Sequence, residues 1–391
     1  MPIDSDFCLK YAENCDIIIF AAVMRHSETI GRTNHSKKVK AMLEHIKEKE
    51  LWQVLKEEKL PILLYGMGNG ADMIIEELEK IGVSFSDTFA SDGFVRGQLF
   101  HGKTVLTLSQ AEEKYGEFVI LMTFAVHDEK TLSFVKELSK KHRLYSPTVP
   151  IAGKGLFNLQ YIIENEKRFD KAFEILADEK SKRTFLDVLT FKISGKPEYL
   201  FDCESDKSEV YEKILKLSKN ETIADLGAYD GDTIREFLSF TENRYRHIFA
   251  FEPDEKNFRK LKAKTEGFKN LSLFNLGAWD KKETLLFEKK AGRNSHKSTT
   301  GVPVNFDSVD NVVNLQLSFI KMDIEGAELK ALDGAKDSIK KFKPKLYVCA
   351  YHRNEDFFIL PEKILSIRSD YKIYLRHHPY VPAWETNFYC I

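Results

Sequence analysis

The chain has 391 residues, of which 43% are hydrophobic and 30% charged, with a net charge of −1. This length predicts two or more domains, and the composition is that of an ordinary globular protein. Because the net charge gives no basic field, neither nucleic acid nor an anionic membrane surface is an expected partner.

The pattern of cysteines and the length of apolar runs indicate the cellular compartment and argue against a membrane-spanning protein. The five cysteines are scattered without C-x-x-C spacing, which argues against a zinc site or a disulfide framework and favours the reducing cytoplasm. The longest apolar run, residues 17–24, is far short of the roughly 20 residues of a membrane span. It follows acidic residues rather than a positive region, so we expect a buried strand or helix there and no signal peptide.

Residues 1–60 are predicted to be a partly helical N-terminal segment. Apolar residues recur at helical spacing over 36–59, among lysines and glutamates. This helix either packs on the next domain or makes a dimer contact, so a homodimer is an open alternative.

A small Rossmann-like domain is predicted over residues 61–148. A buried strand at 62–65 runs into a glycine turn at 66–71, and a helix at 72–81 and a strand at 84–90 follow. Further strands are expected at 104–107 and 118–122, with a helix from Ser109 between them. Strands that alternate with helices indicate a parallel sheet with crossover helices.

The turn at 66–71 is a candidate second nucleotide site. It fits the G-x-G-x-x-G/A pattern, and an aspartate lies about twenty residues on, as in a dinucleotide site. The candidate ligand residues are Gly66, Gly68, Asn69, Gly70 and Asp92. Such a turn can also simply close a strand–helix unit, so this domain is either a nucleotide site or a structural, substrate-orienting module.

Residues 149–217 are predicted to be a helical connector. Apolar residues at helical spacing indicate helices at 158–177 and 179–193. Gly195 and Pro197 then end the second helix.

The C-terminal domain, residues 218–391, opens with a strand, a glycine turn at 225–233 and a helix. Gly227 and Gly231 permit positive φ angles, and a helix start can face an anionic ligand. A second strand, 247–251, ends in Glu252. A carboxylate at the end of that strand can hold the two ribose hydroxyls of a nucleoside.

The turn at 225–233 is similar to the first motif of S-adenosylmethionine-dependent methyltransferases with a Rossmann-like fold. Further segments, in the same order, resemble the FkbM family of methyltransferases; these are residues 251–254, 275–280, 319–328, 332–334, 351–352, 376–378 and 385–386. The resemblance covers about residues 200–391. The expected fold class is α/β, with two tandem Rossmann-like doubly wound sheets joined by a helical connector.

This resemblance implies S-adenosylmethionine as the cofactor and methyl transfer to a hydroxyl group. The attached N-terminal module favours a sugar, a glycan or a polysaccharide precursor as the acceptor. Two alternatives stay open. The chain could be a non-catalytic scaffold of a glycan assembly complex, or a bifunctional protein whose first domain uses a nicotinamide cofactor.

The predicted cofactor residues lie at strand ends and turns of the C-terminal domain. They are Asp225, Gly227, Ala228, Asp230, Gly231, Thr233, Glu252, Pro253, Gly277, Ala278, Trp279 and Asp323. Thr233 either bonds the cofactor's carboxylate or acts as a local cap. The turn at 276–279 is expected beside the adenine, where Trp279 either stacks on the base or belongs to the core.

The predicted catalytic residues are Asp323 and His352. Asp323 follows the strand at 319–322, at the edge where open α/β sheets bind ligands, near the methyl group or the acceptor hydroxyl. His352 follows the strand at 345–350. With an ordinary pKa near 6.5 it suits a general base for a sugar hydroxyl, or it orients the substrate.

Several polar groups have two open roles. Arg376, His377 and His378 either form the acceptor pocket or satisfy the sheet edge, with at most one of the two histidines entering the site. No metal is predicted, but carboxylates near Asp323 together with Asp307 or Asp310 are an alternative ion site. Glu325 is a candidate helix cap, and the polar stretch 292–301 is either a mobile lid or a surface loop.

Overall fold

The computed structural model describes residues 46–150, 153, 155–287 and 301–391. The chain divides into two units, Met1–Lys47 and Glu48–Ile391, and every helix and strand described belongs to the second. Three sequence predictions lie wholly or mostly outside the described residues: the apolar element at 17–24, the first part of the helix at 36–59, and the loop at 292–301.

Within the described residues, the helix predicted at 36–59 covers a shorter range than expected. Residues 46–50 are not helical, and helix α1 is Leu51–Glu57. Glu50, which precedes it, has extended backbone angles of φ −62° and ψ 134°. Leu51 and Leu55 are the buried residues of this short helix.

A four-stranded parallel sheet occupies the first part of the unit, in the order β2-β1-β5-β6. Its elements are β1 (Ile62–Tyr65), α2 (Asn69–Lys80), β2 (Asp87–Phe89), the hairpin β3 (Leu99–Phe100) and β4 (Lys103–Thr104), α3 (Leu108–Tyr115), β5 (Val119–Met122), α4 (Glu129–Lys141) and β6 (Arg143–Tyr145). The strand predicted at 104–107 forms only in part. Lys103 and Thr104 pair in an antiparallel hairpin, and Leu106 alone forms a parallel bridge to Phe89 of β2.

The apolar segments of the sequence explain why these strands and helices form the interior of the sheet. All four residues of β1 and of β5 are buried, as expected of central parallel strands covered on both faces. Helix α2 buries Ala71, Ile74, Ile75 and Leu78, which are spaced along one helical face.

The connector is helical, as predicted, but its first helix is divided. Helices α5 (Leu159–Glu164) and α6 (Glu166–Glu174) meet at Asn165, followed by α7 (Glu179–Ser194), α8 (Glu198–Asp202) and a π-helical turn, Glu209–Ile214. Gly195 ends α7 with a left-handed φ of +68°, a conformation that glycine adopts without steric cost.

A seven-stranded sheet forms the C-terminal part, in the order β15-β16-β14-β13-β7-β8-β9. Neighbouring strands are parallel except β16, which is antiparallel to β14 and β15. The sheet and its helices are β7 (Thr222–Leu226), α9 (Asp232–Phe240), β8 (His247–Phe251), α10 (Glu255–Lys264), β9 (Leu271–Phe274), β13 (Phe319–Met322), α12 (Glu328–Gly334), α13 (Lys336–Phe342), β14 (Lys345–Cys349), α14 (Asp356–Ile367), β15 (Ile373–His377) and β16 (Thr386–Cys390).

Between β9 and β13 lies a small three-stranded sheet. It consists of β10 (Gly277–Ala278), β11 (Glu283–Phe287) and β12 (Val302–Asp307), and the short helix α11 (Val309–Val312) follows it. The predicted fold class, two Rossmann-like sheets joined by helices, is confirmed. The domain boundaries at 60, 148 and 217 stay a prediction, and no helix in the described ranges is long and apolar enough to cross a bilayer.

The two large sheets are tied together at several points. Val126 and Val381 form an isolated antiparallel bridge, with N–H···O distances of 2.7 and 2.9 Å. The N–H of Ser146 donates to the carbonyl of Gly195 at 2.7 Å. Helix α7 packs on β15 of the large sheet. The first sheet therefore contacts the loop that precedes β16, and the connector contacts both the first sheet and β15.

Candidate functional site

The strand order of the large sheet fixes where its ligand site lies. Strands β8 and β9 follow β7 on one side, whereas β13 and β14 lie on the other. Open α/β sheets bind ligands at the carboxyl edge of such a switch point. Asp225 near the end of β7 and Asp323 just after β13 both lie there, as predicted from the sequence.

A buried lysine joins these two carboxylates. Lys321 pairs in register with Asp225 across β13 and β7, and its Nζ lies 3.4 Å from Asp225 Oδ1 and 3.8 Å from Asp323 Oδ2. It also donates to the carbonyl of Gly227 at 3.1 Å. Sequence analysis missed this residue. A lysine inside an otherwise apolar four-residue strand was the available signal, because a buried ammonium requires a carboxylate partner.

Asp225 is fully buried yet incompletely satisfied. Its side chain is 0% exposed, and Oδ1 has only the ion pair with Lys321 at 3.4 Å. Among the described residues, no well-formed hydrogen bond reaches either carboxylate oxygen. Burial raises the pKa of Asp225 to about 6, and the charge of Lys321 opposes that rise only in part. A carboxylate with an ion pair on one oxygen and no hydrogen bond on the other, at a ligand-binding edge, fits a cationic group such as the ammonium of an amino acid.

Gly227 has a steric reason for being glycine. Its φ is +84°, and a Cβ there would lie 1.9 Å from the carbonyl oxygen of Asp323. The turn therefore lies directly against the end of β13. The N–H groups of Gly227 and Ala228 donate to the carbonyl of Phe251, at 3.0 and 2.9 Å, so these donors are already engaged.

Glu252 lies at the end of β8, and its carboxylate receives backbone N–H groups. Its Oε2 accepts from Tyr229 at 2.9 Å and its Oε1 from Asp254 at 2.8 Å. Burial raises the pKa of Glu252 to about 7, although these two N–H groups lower it. Each carboxylate oxygen can still accept a second hydrogen bond, so the group can receive two ribose hydroxyls.

Two other predicted cofactor residues have partners within the protein. Asp230 pairs with Lys264 and, at 3.4 Å, with Arg235. The N–H of Thr233 donates to Asp232 at 2.8 Å. The N-cap residue, which precedes helix α9, is Gly231, with φ +86° and no side-chain cap, so Thr233 does not cap this helix. Ligand contacts of Asp230, Gly231 and Thr233 stay predictions.

The segment expected beside the adenine is a strand rather than a free turn. Gly277 and Ala278 form β10 and pair with Phe306 and Asp307 of β12. The Trp279 ring lies 5.3 Å from the Phe306 ring, which gives it a packing role. Pro253 accepts the Asn275 amide at 3.1 Å, which links the ends of β8 and β9.

Asp323 forms the centre of a second group of polar side chains. The hydroxyl of Tyr351 donates to its Oδ1 at 3.0 Å, and His352 Nε2 lies 3.4 Å from the same oxygen. Burial would raise the pKa of Asp323, but the charges of Lys321 and His352 and the Tyr351 hydroxyl hold it below its usual value. The structure thus brings together both predicted catalytic residues, with Tyr351 as an added member.

His352 is buried between carboxylates. Its Nε2 lies 3.5 Å from Glu325 Oε2, and its Nδ1 lies 3.0 Å from Glu328 Oε1. Burial would lower the pKa of His352, but the charges of Glu328, Asp323 and Glu325 raise it to about 9. Its ring is therefore protonated at neutral pH. This differs from the ordinary pKa assumed in the sequence analysis, and the neighbouring carboxylates are the cause.

The ligand atoms of Glu328, His352 and Asp356 lie within 4.8 Å of one another, a spacing that a metal ion requires. Glu328 Oε1 already accepts the N–H of Ile324 at 3.1 Å, and Asp356 accepts that of Arg353 at 2.7 Å. We interpret the trio as an ion network that holds the turn after β13. The absence of a metal stays a prediction.

The alternative ion ligands and the proposed cap have other roles. Asp310 accepts the N–H groups of Asp337 and Ser338 at 2.8 and 2.9 Å, at the start of α13. Asp307 accepts the Ser308 N–H at 2.8 Å. The expectation that Glu325 caps the next helix is wrong, because α12 has no side-chain cap and Glu325 faces His352 instead.

Arg376, His377 and His378 satisfy the sheet edge and do not form a pocket. Arg376 pairs with Asp178 at 2.7 Å and with Glu209 at 3.3 Å. His377 Nδ1 lies 3.0 Å from the Thr386 hydroxyl. Burial lowers the pKa of His377 to about 3 and that of His378 to about 4, so both are neutral parts of the core.

The first glycine turn lacks comparable chemistry. Gly66 and Gly70 lie against the end of β5, where a Cβ on Gly70 would lie 2.2 Å from the carbonyl oxygen of Thr123. Gly68 and Asn69 are exposed, and Asp92 lies in an exposed 3₁₀ turn, Asp92–Phe94. A ligand at this turn stays a prediction.

Comparison with known proteins shows what the C-terminal sheet and its site are similar to. The model of the methyltransferase FkbM domain matches residues 225–378. No curated protein sequence matches the chain. The crystal structure of methyltransferase FkbM from Methylobacillus flagellatus KT covers 97% of this chain and 100% of its own, with a TM-score of 0.65 and 24% identity. That likeness shows a shared fold over both sheets.

Two other solved structures match less of the chain, with lower similarity. An rRNA methylase from Streptococcus thermophilus covers 44% of this chain and 87% of its own, with a TM-score of 0.31 and 12% identity. The protein SMU.1697c from Streptococcus mutans, in complex with SAH, covers 44% and 88%, with a TM-score of 0.29 and 14% identity.

Proposed function

We propose that this chain, which carries an FkbM methyltransferase domain at residues 225–378, transfers a methyl group from S-adenosylmethionine to a hydroxyl of a sugar, a glycan or a glycan precursor. The observation that carries the proposal is the meeting of Asp225, Glu252 and Asp323 at one sheet edge. Tyr351 and His352 face the same edge from the end of β14.

The residues present fit the cofactor. Asp225 offers a buried carboxylate, ion-paired at Oδ1 and without a hydrogen bond at Oδ2, for the ammonium of the methionine part. Glu252 retains acceptor capacity for the ribose hydroxyls, and the edge beside β10 receives the adenine. S-adenosylmethionine, when bound, supplies an electrophilic methyl group, and the protein must position the acceptor and manage one proton.

The acceptor hydroxyl is held by the group around Asp323. Oδ1 of Asp323 accepts from Tyr351, and its carboxylate is ionised at neutral pH because the neighbouring cations lower its pKa. It can therefore accept the hydrogen bond of an incoming hydroxyl. His352 holds a proton at neutral pH, which favours its role in orienting Asp323 and the substrate over the role of general base.

A sugar-type acceptor has weaker support than methyl transfer itself. It is supported by the extra sheet, which contacts the loop before β16, and by the connector, which packs on β15. Fold alone does not fix a substrate. We also propose the cytoplasm as the compartment. The described cysteines, Cys203, Cys349 and Cys390, are buried free thiols, as expected in a reducing environment.

Methyl transfer can be tested with purified protein, S-adenosylmethionine and a panel of sugars, uronic acids and nucleotide sugars. We expect S-adenosylhomocysteine and a methylated acceptor by mass spectrometry. Glu252→Ala should abolish both, whereas Glu255→Ala, at an exposed neighbour paired with Arg259, should not. A protein that binds S-adenosylhomocysteine but methylates no hydroxyl compound would refute the proposed acceptor class.

The role of His352 has its own test. His352→Ala should lower turnover while leaving cofactor affinity nearly intact. If the imidazolium orients Asp323, turnover should be level or fall as the pH rises towards 9. Turnover that instead rises up to pH 9 would assign His352 as the general base.

A further inference from the structure

A pocket lies where the first sheet, the connector and the large sheet meet. It is lined by residues 148–150 after β6, by Lys192 of α7, by Tyr351, His352 and Asn354 after β14, and by residues 382–384 before β16. Its empty space is about 330 Å³, counting the part that opens to solvent. The enclosed part of this space is small, so only a small group of a ligand could enter it.

Lys192 is a buried cation without a carboxylate partner. Its side chain is 8% exposed, and its Nζ lies 5.1 Å from the Phe157 ring and 5.8 Å from the Phe357 ring. Among the residues that the structure describes, none offers it a hydrogen-bond acceptor or an ion pair. A buried ammonium normally has such a partner, so this one has unused capacity for an anion.

Lys192 differs in its partners from Lys321, the other buried lysine near this site. Lys321 is equally buried, but two carboxylates lie within 4.0 Å of its Nζ. Burial lowers the pKa of Lys192 to about 8, and the charge of Asp356 only partly opposes this. The side chain therefore still carries a positive charge in most molecules at neutral pH, and it lines an open pocket.

The pocket shares side chains with the proposed reaction site. His352 and Tyr351 line it, and both contact Oδ1 of Asp323. Trp384, which also lines the pocket, lies in a loop tied to the first sheet by the Val126–Val381 bridge. A ligand whose charged end reaches Lys192 would thus lie beside the groups that hold the acceptor hydroxyl.

Resting on the proposed function, we propose that this pocket binds an acidic group of the acceptor, a phosphate or carboxylate attached to a sugar, with Lys192 as its ionic partner. The substrate class is then an acidic sugar or a sugar phosphate rather than a neutral sugar. The first sheet and the connector would complete the acceptor site, since they supply Lys192 and anchor the loop that carries Trp384.

Binding measurements test this without turnover. Glucose 6-phosphate, glucuronic acid and glucose are titrated by calorimetry into protein saturated with S-adenosylhomocysteine. We expect at least one of the two acidic sugars to bind about 10-fold or more tightly than glucose, and the phosphate and carboxylate arms identify the preferred acid. Equal affinity of wild-type protein for all three sugars would overturn the proposal, with no variant needed.

Variants then assign the preference to one side chain. Lys192→Met should abolish it, Lys192→Arg should keep part of it, and Lys182→Met, on the same helix but paired with Glu179, should leave it unchanged. A preference that survives in Lys192→Met would refute the role of Lys192. Cofactor affinity and methyl transfer in the same samples report separately on the proposed function, because acid binding can succeed or fail independently of them.

Discussion

The two glycine turns of this chain use the same backbone device with different chemistry. In each, a glycine lies so close to the end of the neighbouring strand that a Cβ would clash, at Gly70 with Thr123 and at Gly227 with Asp323. Around the first turn the contacts are modest, such as Gln98 to the Met67 sulfur at 3.5 Å. Around the second, buried charges from three strands converge. A glycine turn therefore closes a strand–helix unit, and only the neighbouring strand ends make it a reaction site.

The largest expected effect is the loss of stability when the buried lysine of the large sheet is replaced, compared with an exposed lysine of the first sheet. Lys321→Met leaves Asp225 and Asp323 without their shared cation, so we expect a loss of about 3–5 kcal/mol of unfolding free energy. The matched control is Lys114→Met in the first sheet, where an exposed lysine pairs with Asp87 at 2.7 Å. Its loss should be clearly smaller. If urea unfolding shows equal losses of unfolding free energy in the two variants, the charge network around Lys321 does not stabilise the protein more than the exposed pair does.

The second prediction concerns pH and His352. Its pKa in the folded protein is about 9, above the ordinary 6.5, so its stabilising contribution is complete below pH 6.5 and is lost as pH rises through 9. The shift corresponds to about 3 kcal/mol. Urea unfolding between pH 6 and 9.5 should show this fall in wild-type protein and a flatter profile in His352→Gln. An unchanged slope in the variant would contradict the carboxylate network.

The third prediction compares the glycines themselves. Gly70→Ala should cost about 1–3 kcal/mol because the added methyl overpacks against Thr123, and Gly227→Ala should cost more because its φ is also positive. Gly93→Ala, where a Cβ would meet no atom within 4 Å, is the control. Only Gly227→Ala should weaken S-adenosylhomocysteine binding. Weaker binding in Gly70→Ala as well would make the two turns functionally alike.

The smallest expected effect tests the first turn as a ligand site. Asp92 is exposed, so Asp92→Ala should change stability by less than about 0.5 kcal/mol. Titration with NAD should show no binding to wild-type protein if this turn is structural. Binding that disappears in Asp92→Ala would instead establish a second nucleotide site and remove the contrast between the sheets.

Sequence patterns predicted the parallel strands well because buried apolar runs such as 62–65 and 319–322 have few alternatives. They failed where long-range pairing decides the structure. Of the strand predicted at 104–107, Thr104 belongs to a hairpin and Leu106 alone bridges to Phe89 of β2. Gly277 and Ala278 pair with a strand that lies well beyond them in sequence. The positions of Asp225, Glu252 and Asp323 followed from strand ends. The pKa of His352 and the roles of Lys321 and Lys192 depend on neighbours that the fold brings together, so local sequence could not supply them.

The central claim is that the turn at 225–233, and not the one at 66–71, holds the cofactor. Calorimetric titration with S-adenosylhomocysteine tests it directly in wild-type protein, Glu252→Ala and Asp92→Ala. We predict one site per chain, lost in Glu252→Ala and unchanged in Asp92→Ala. Unchanged affinity in Glu252→Ala, or loss of binding in Asp92→Ala, would contradict this assignment.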